Sequence, residues 1–134
     1  MLNPKSEARN PKQIQIYQIQ NSKHYNLEER TYNFAKRVIQ YAGTLSKTLA
    51  NIEIAKQLIR SAGSVGANYI EANEALSKKD FLMRIKISRK EAKESCYWLM
   101  LTEPAPGYQR DKETLIQEAT ELMKIFGAIF HKSQ

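Results

Sequence analysis

The sequence predicts an all-α protein, an antiparallel up-down four-helix bundle with an N-terminal arm, and three observations predict it. Apolar residues recur at intervals of three and four through four stretches of the chain. Residues able to cap a helix stand at the start of those stretches. The break before the last stretch is "TEPAPGYQR", where Pro104, Pro106 and Gly107 forbid helix continuation. Short connections between amphipathic helices make neighbours antiparallel.

Residues 1–25 lack a sustained helical period, and "KQIQIYQIQ" is a polar, β-tolerant run, so this segment reads as a mobile basic arm ahead of a bundle over 26–132. Asn26 is placed to cap the first helix, with Glu29 three residues on as in a capping box, and Leu27, Phe34, Val38, Tyr41, Ala42 and Leu45 keep its spacing. Asn51 is the expected cap of the second, whose inner face is Ile54, Leu58, Ala62, Val65, Tyr69, Ala72 and Asn73. Ser77 and Asp80 suit the start of the third, with Phe81, Ile85, Ser88, Ala92, Ser95 and Leu99 inward. The fourth begins near Asp111 and buries Leu115, Ala119, Leu122, Met123, Phe126, Ile129 and Phe130. The expected boundaries are near Asn26–Leu45, Asn51–Ala75, Lys78–Leu101 and Asp111–His131. Phe81, Ile85, Leu58, Val65, Leu122 and Phe126 should be buried together.

The second helix carries Gly63 and Gly66 in its middle. Glycine in a helix interior costs about 1 kcal/mol relative to alanine, so close approach of another backbone is the expected compensation. With Ala55, Ala62, Ala67, Ala72 and Ala75, the helix is small on most of its circumference. That suits either the centre of its own bundle or a contact between subunits.

A chain of 134 residues, 42% hydrophobic and 26% charged, has the size of one domain with a modest core. "MLNPKSEARNPKQ" is too polar for a signal peptide and no apolar run approaches a membrane span, so a cytoplasmic protein without a membrane partner is expected. One cysteine, Cys96, makes no internal disulfide and reads as a small buried hydrophobe; His24 and His131 alone make a weak metal-ligand set. No cofactor and no metal are expected.

The net charge of +7 is unevenly spread: residues 78–93 hold seven bases against two acids, residues 1–25 add four bases against one, and the remainder sums to −1. At 100° per residue, Lys79, Lys86, Lys90 and Lys93 form a narrow stripe on the third helix, opposite Phe81, Ile85, Ala92 and Leu99. Together with Arg89, this stripe is the candidate for contact with phosphates of RNA or DNA; an ordinary solvated helix face is the bland alternative. No aromatic residue interleaves it, which favours backbone contact over base stacking.

The block Gln57, Arg60, Ser61, Ser64, Ala67, Asn68, Glu71, Ala72, followed by Asp80-Phe81, Glu91, Glu94 and Tyr97-Trp98-Leu99, resembles the four-helix-bundle proteins encoded by intervening sequences in bacterial 23S ribosomal RNA genes. The likeness covers about residues 25–132 and departs at "YWLMLTEPAPGYQR". It implies a left-handed bundle that assembles into a ring, pentameric in relatives, with no known catalysis. The family is also similar to the accessory protein of diversity-generating retroelements, which binds a reverse transcriptase and nucleic acid.

Arg60, Glu71, Glu91 and Glu94 read as inter-helix or inter-subunit ion pairs, since no histidine sits near them and no Glu-x-x-His pair is present. Asn73 reads as a satisfied buried amide, and Tyr69, Tyr97 and Trp98 as core or interface anchors. The expected interface set is Arg60, Gly63, Gly66, Asn68, Glu71, Tyr97 and Trp98. The expected function is that of a non-catalytic, self-assembling protein that binds nucleic acid through a basic face. A protein-binding scaffold or accessory subunit is the alternative, and a small enzyme built on Glu71, Glu91 and Glu94 ranks behind both.

Overall fold

The computed structural model describes residues 26–134. They form four helices: α1 (Leu27–Ala42), α2 (Leu49–Asn73), α3 (Lys78–Leu101) and α4 (Gln109–Ser133). Each helix packs on the next in sequence and α1 closes the set against α4, as short antiparallel connections require. The arm expected over residues 1–25 lies outside the described residues. Among those described, no strand occurs and no helix is long and apolar enough to cross a membrane.

Local chemistry sets each boundary. The Asn26 side chain accepts from the Glu28 N–H at 2.8 Å and starts α1. For α2 the cap is Thr48, which accepts from the Asn51 N–H at 3.1 Å, so the helix begins before the expected Asn51. Asn51 itself is buried in the first turn and donates to the Ser46 carbonyl at 3.0 Å, where it ties down the preceding loop. Ser77 caps α3 as expected, accepting from the Asp80 N–H. α3 ends at Thr102, whose hydroxyl donates to the Leu99 carbonyl, while Lys112 donates to the Met100 and Thr102 carbonyls at 3.2 and 2.8 Å. Gly107 adopts φ 93°, the left-handed turn that releases the chain into α4 two residues ahead of Asp111.

Phe34, Val38, Leu58, Val65, Ile85, Leu99, Leu122 and Phe126 are fully buried, and the Tyr69 and Phe126 rings meet at 5.6 Å. Phe81 is only half-buried, since it sits in the first turn of α3 where the bundle is open-ended. Asn73 is half-buried with its amide donating to Glu28. The α2–α3 seam is lined by small hydroxyls: Ser61 and Ser95 meet at 2.9 Å and Ser88 donates to the Val65 carbonyl at 2.9 Å. Gly66 faces α1 so closely that a Cβ there would lie 2.8 Å from the Thr31 hydroxyl oxygen, whereas a Cβ at Gly63 would meet nothing within 4 Å.

Tyr41 is buried and its hydroxyl bonds Thr102 at 2.8 Å, which joins the ends of α1 and α3. Burial pushes its phenol up from the ordinary 10.0; the Thr102 bond opposes this and Asp111 adds to it. A raised folded-state value means the neutral phenol is the stabilising form. Its contribution is full below pH 10.0 and is lost as pH rises through the folded value. Denaturant titrations from pH 9 to 11 should therefore show a stability loss that Tyr41→Phe removes; an unchanged slope would refute the assignment.

Candidate nucleic-acid interface

α3 turns two unlike faces to its surroundings, and its heptad-like spacing is the cause. Toward α2 stand two of its three acids. Glu91 is buried and Glu94 half-buried, and both are met by the Arg60 guanidinium, at 3.4 Å for Glu91 and in a short contact for Glu94. The Glu91 contact is an ion pair only, since its Oε1 accepts no hydrogen bond. Trp98 Nε1 donates to the same Glu94 carboxylate at 3.0 Å. Burial by itself would lower the Arg60 pKa, but the two carboxylates outweigh it and hold the guanidinium above its ordinary value. Arg84 also faces α2, donating to Asn68 Oδ1 at 3.1 Å, while the Asn68 amide donates back to the Ser64 carbonyl.

On the opposite side Lys79, Lys86, Arg89, Lys90 and Lys93 are all exposed, and none of them forms an ion pair with a described carboxylate. Two lean toward α4. Lys86 lies over the Phe130 ring at 5.8 Å, and the Arg89 side chain passes within 4 Å of where a Cβ on Gly127 would be. The guanidinium lies along α4 beside Gly127, at ordinary van der Waals distance. Exposed Lys124 and His131, three residues before and four after Gly127, share that side of α4 and extend the basic surface beyond α3. Sequence reasoning missed both because their helix is separated from the stripe by a loop.

The predicted interface residues all lie on α2 and α3, and several are already paired within the chain. Arg60, Asn68 and Trp98 are engaged within the chain across the α2–α3 seam. Gly66 is spent on Thr31 of α1, a contact inside the chain's own bundle, and of the two glycines Gly63 alone is open. Glu71 is exposed on α2, and Tyr97 is exposed on α3 with its ring edge-to-face on Trp98 at 5.1 Å. Tyr97 follows Lys93 by one helical turn, so an aromatic ring does stand at the end of the lysine stripe. Cys96 is half-buried, 3.8 Å from the Thr120 hydroxyl.

Among the described residues, Glu71, Glu91 and Glu94 are not gathered into a group able to hold a metal, and no other such group occurs. A concavity of about 250 Å³ between α1 and α4 is lined by Arg30, Asn33, Phe34, Lys36, Arg37, Gln40 and Glu118. Arg30 is committed there: it donates to Glu118 through two nitrogens and to Glu121, a forked arrangement that raises its pKa despite partial burial.

Comparison with known proteins agrees with this architecture. The family model described as 23S rRNA-intervening sequence protein matches residues 23–128. A crystal structure of a protein of unknown function from the S23 ribosomal protein family of Bacteroides thetaiotaomicron is similar, with 29% identity over 77% of this chain and 96% of that one and a TM-score of 0.66. No curated protein matches.

Proposed function

Because the chain belongs to the 23S rRNA-intervening sequence protein family, we propose that it is a non-catalytic, self-assembling bundle that binds nucleic acid through the α3–α4 basic face. One observation carries the reading. Glu91 and Glu94 of α3 are held by Arg60, and no described carboxylate pairs with the stripe, so its bases are left uncompensated on an outer surface. Phosphates are the partner that such a surface recognises, because each contact releases condensed counterion. The contacts come from Lys79, Lys86, Arg89, Lys90 and Lys93 with Lys124 beside them, and they carry little base preference. Assembly into a homo-oligomer, a pentamer by family resemblance, would repeat the face and let weak sites act together. A cytoplasmic location fits a lone, half-buried thiol.

Fluorescence anisotropy with labelled RNA and DNA over a salt series tests this. Wild-type affinity should fall steeply with salt, and changing Lys86, Lys90 and Lys93 to Gln should reduce the slope of log K against log salt by about 3 on a duplex. Glu at the same positions should abolish binding while the helical circular dichroism is retained, since all three side chains are exposed. No binding at low salt, or binding unchanged in the Glu variant, rejects the proposal in favour of a scaffold that recognises a protein.

A further inference from the structure

The outer ridge of α3 carries more than bases. Met83, Tyr97, Met100 and Leu101 lie on it, and these large side chains are 45–61% exposed. At about 100° per residue, Tyr97 points the same way as Lys79 and within about 40° of Lys86, Lys90 and Lys93, standing about 6 Å beyond Lys93 along the helix. One face therefore joins a row of cations to apolar groups: Met83 among the lysines, and an aromatic ring with two aliphatic neighbours at the C-terminal end. The ring is also held in place. Arg60 pairs with Glu94, Glu94 accepts from Trp98 Nε1 at 3.0 Å, and the Trp98 indole meets the Tyr97 ring edge-to-face at 5.1 Å. An edge-to-face neighbour covers one ring face at most, so at least one face of Tyr97 is clear of Trp98.

The chemistry of this face decides what lies on it. Lysines select anions, an open aromatic face selects a planar ring, and the two in one row select a strand that carries both. In a duplex the base faces are stacked on each other, and only the backbone and the groove edges meet a protein. Tyr97 and its aliphatic neighbours would have no partner there. An amphipathic partner helix fits no better, since such helices dock in a groove and these residues stand on the ridge of a single helix. We propose that the α3 face binds single-stranded nucleic acid, with phosphates on Lys86, Lys90 and Lys93 and an unpaired base stacked on Tyr97. This rests on the nucleic-acid binding proposed above and names its substrate class. Stacking tolerates any base, so a strand is selected by being unpaired rather than by its sequence.

Anisotropy of the full chain with labelled oligo-U RNA, oligo-dT and a DNA duplex, at low and moderate salt, tests it. Backbone contacts alone favour the duplex, whose higher charge density releases more counterion per contact. The wild type should instead prefer both single strands. Tyr97→Ala should weaken single-strand affinity by about 5- to 150-fold while the duplex affinity and the salt slope stay as they were. Its helical circular dichroism should be retained, since the ring is exposed. Tyr97→Phe should keep the wild-type preference, because stacking needs the ring and not the hydroxyl. Single-strand affinity unchanged in Tyr97→Ala, or a wild-type preference for the duplex, overturns the stacking proposal and leaves phosphate binding standing. Absence of binding to all three at low salt overturns both readings and leaves the face to a protein partner.

Discussion

Phe126→Ala should cost about 3–5 kcal/mol of folding stability and lower the thermal midpoint by on the order of 20 °C. Phe126 is fully buried, and its ring lies against that of Tyr69, so it links α4 to α2 across the middle of the bundle. Truncation removes the apolar area of a whole ring and leaves a void that rigid helices on every side cannot fill. Native domains hold about 5–15 kcal/mol in total, so this one change takes a large share. Urea denaturation measures it directly. A loss below about 1 kcal/mol would be a surface value and would mean that the core is not organised around this ring.

Gly66→Leu should prevent folding, and the smaller substitutions locate the reason. Even one added carbon at Gly66 would lie 2.8 Å from the Thr31 hydroxyl oxygen and 3.1 Å from its Cβ. Thr31 has little freedom to yield, because it is buried and its hydroxyl donates to the Leu27 and Glu28 carbonyls. Gly66→Ala gains about 1 kcal/mol of helix propensity but overpacks a tight contact at about 1–3 kcal/mol, so the net effect is destabilising. Gly63→Ala meets no neighbour and keeps the propensity gain, stabilising by about 0.5–1 kcal/mol. Denaturation at low protein concentration should show opposite signs for two glycines three residues apart. Equal effects would refute the close packing of α2 on α1.

The helices were legible in the sequence because period and breaker agree. The Pro104, Pro106 and Gly107 break, the Ser77 cap and the inward positions Leu58, Val65, Ile85 and Leu122 all fall where the pattern puts them. Asn51 as a cap was not, because Thr48 and Asn51 both suit that role and only the fold of residues 43–48 assigns it to Thr48. The lysine stripe was legible as a face of one helix. Its continuation through Arg89 onto α4 was not, since it depends on which helices are neighbours.

The serine-lined seam between α2 and α3 also bears on the order of events during folding. Residues 74–77 are the shortest connection in the described chain, so closing this pair costs the least chain entropy. The seam it closes is already matched in shape, hydroxyl to hydroxyl at Ser61–Ser95 and hydroxyl to backbone at Ser88–Val65. The α2–α3 hairpin is therefore the natural nucleus, with α4 added next and α1 last. Amide protons of α1, whose tie to α4 runs through Arg30 to Glu118 and Glu121, would be the first to exchange with solvent.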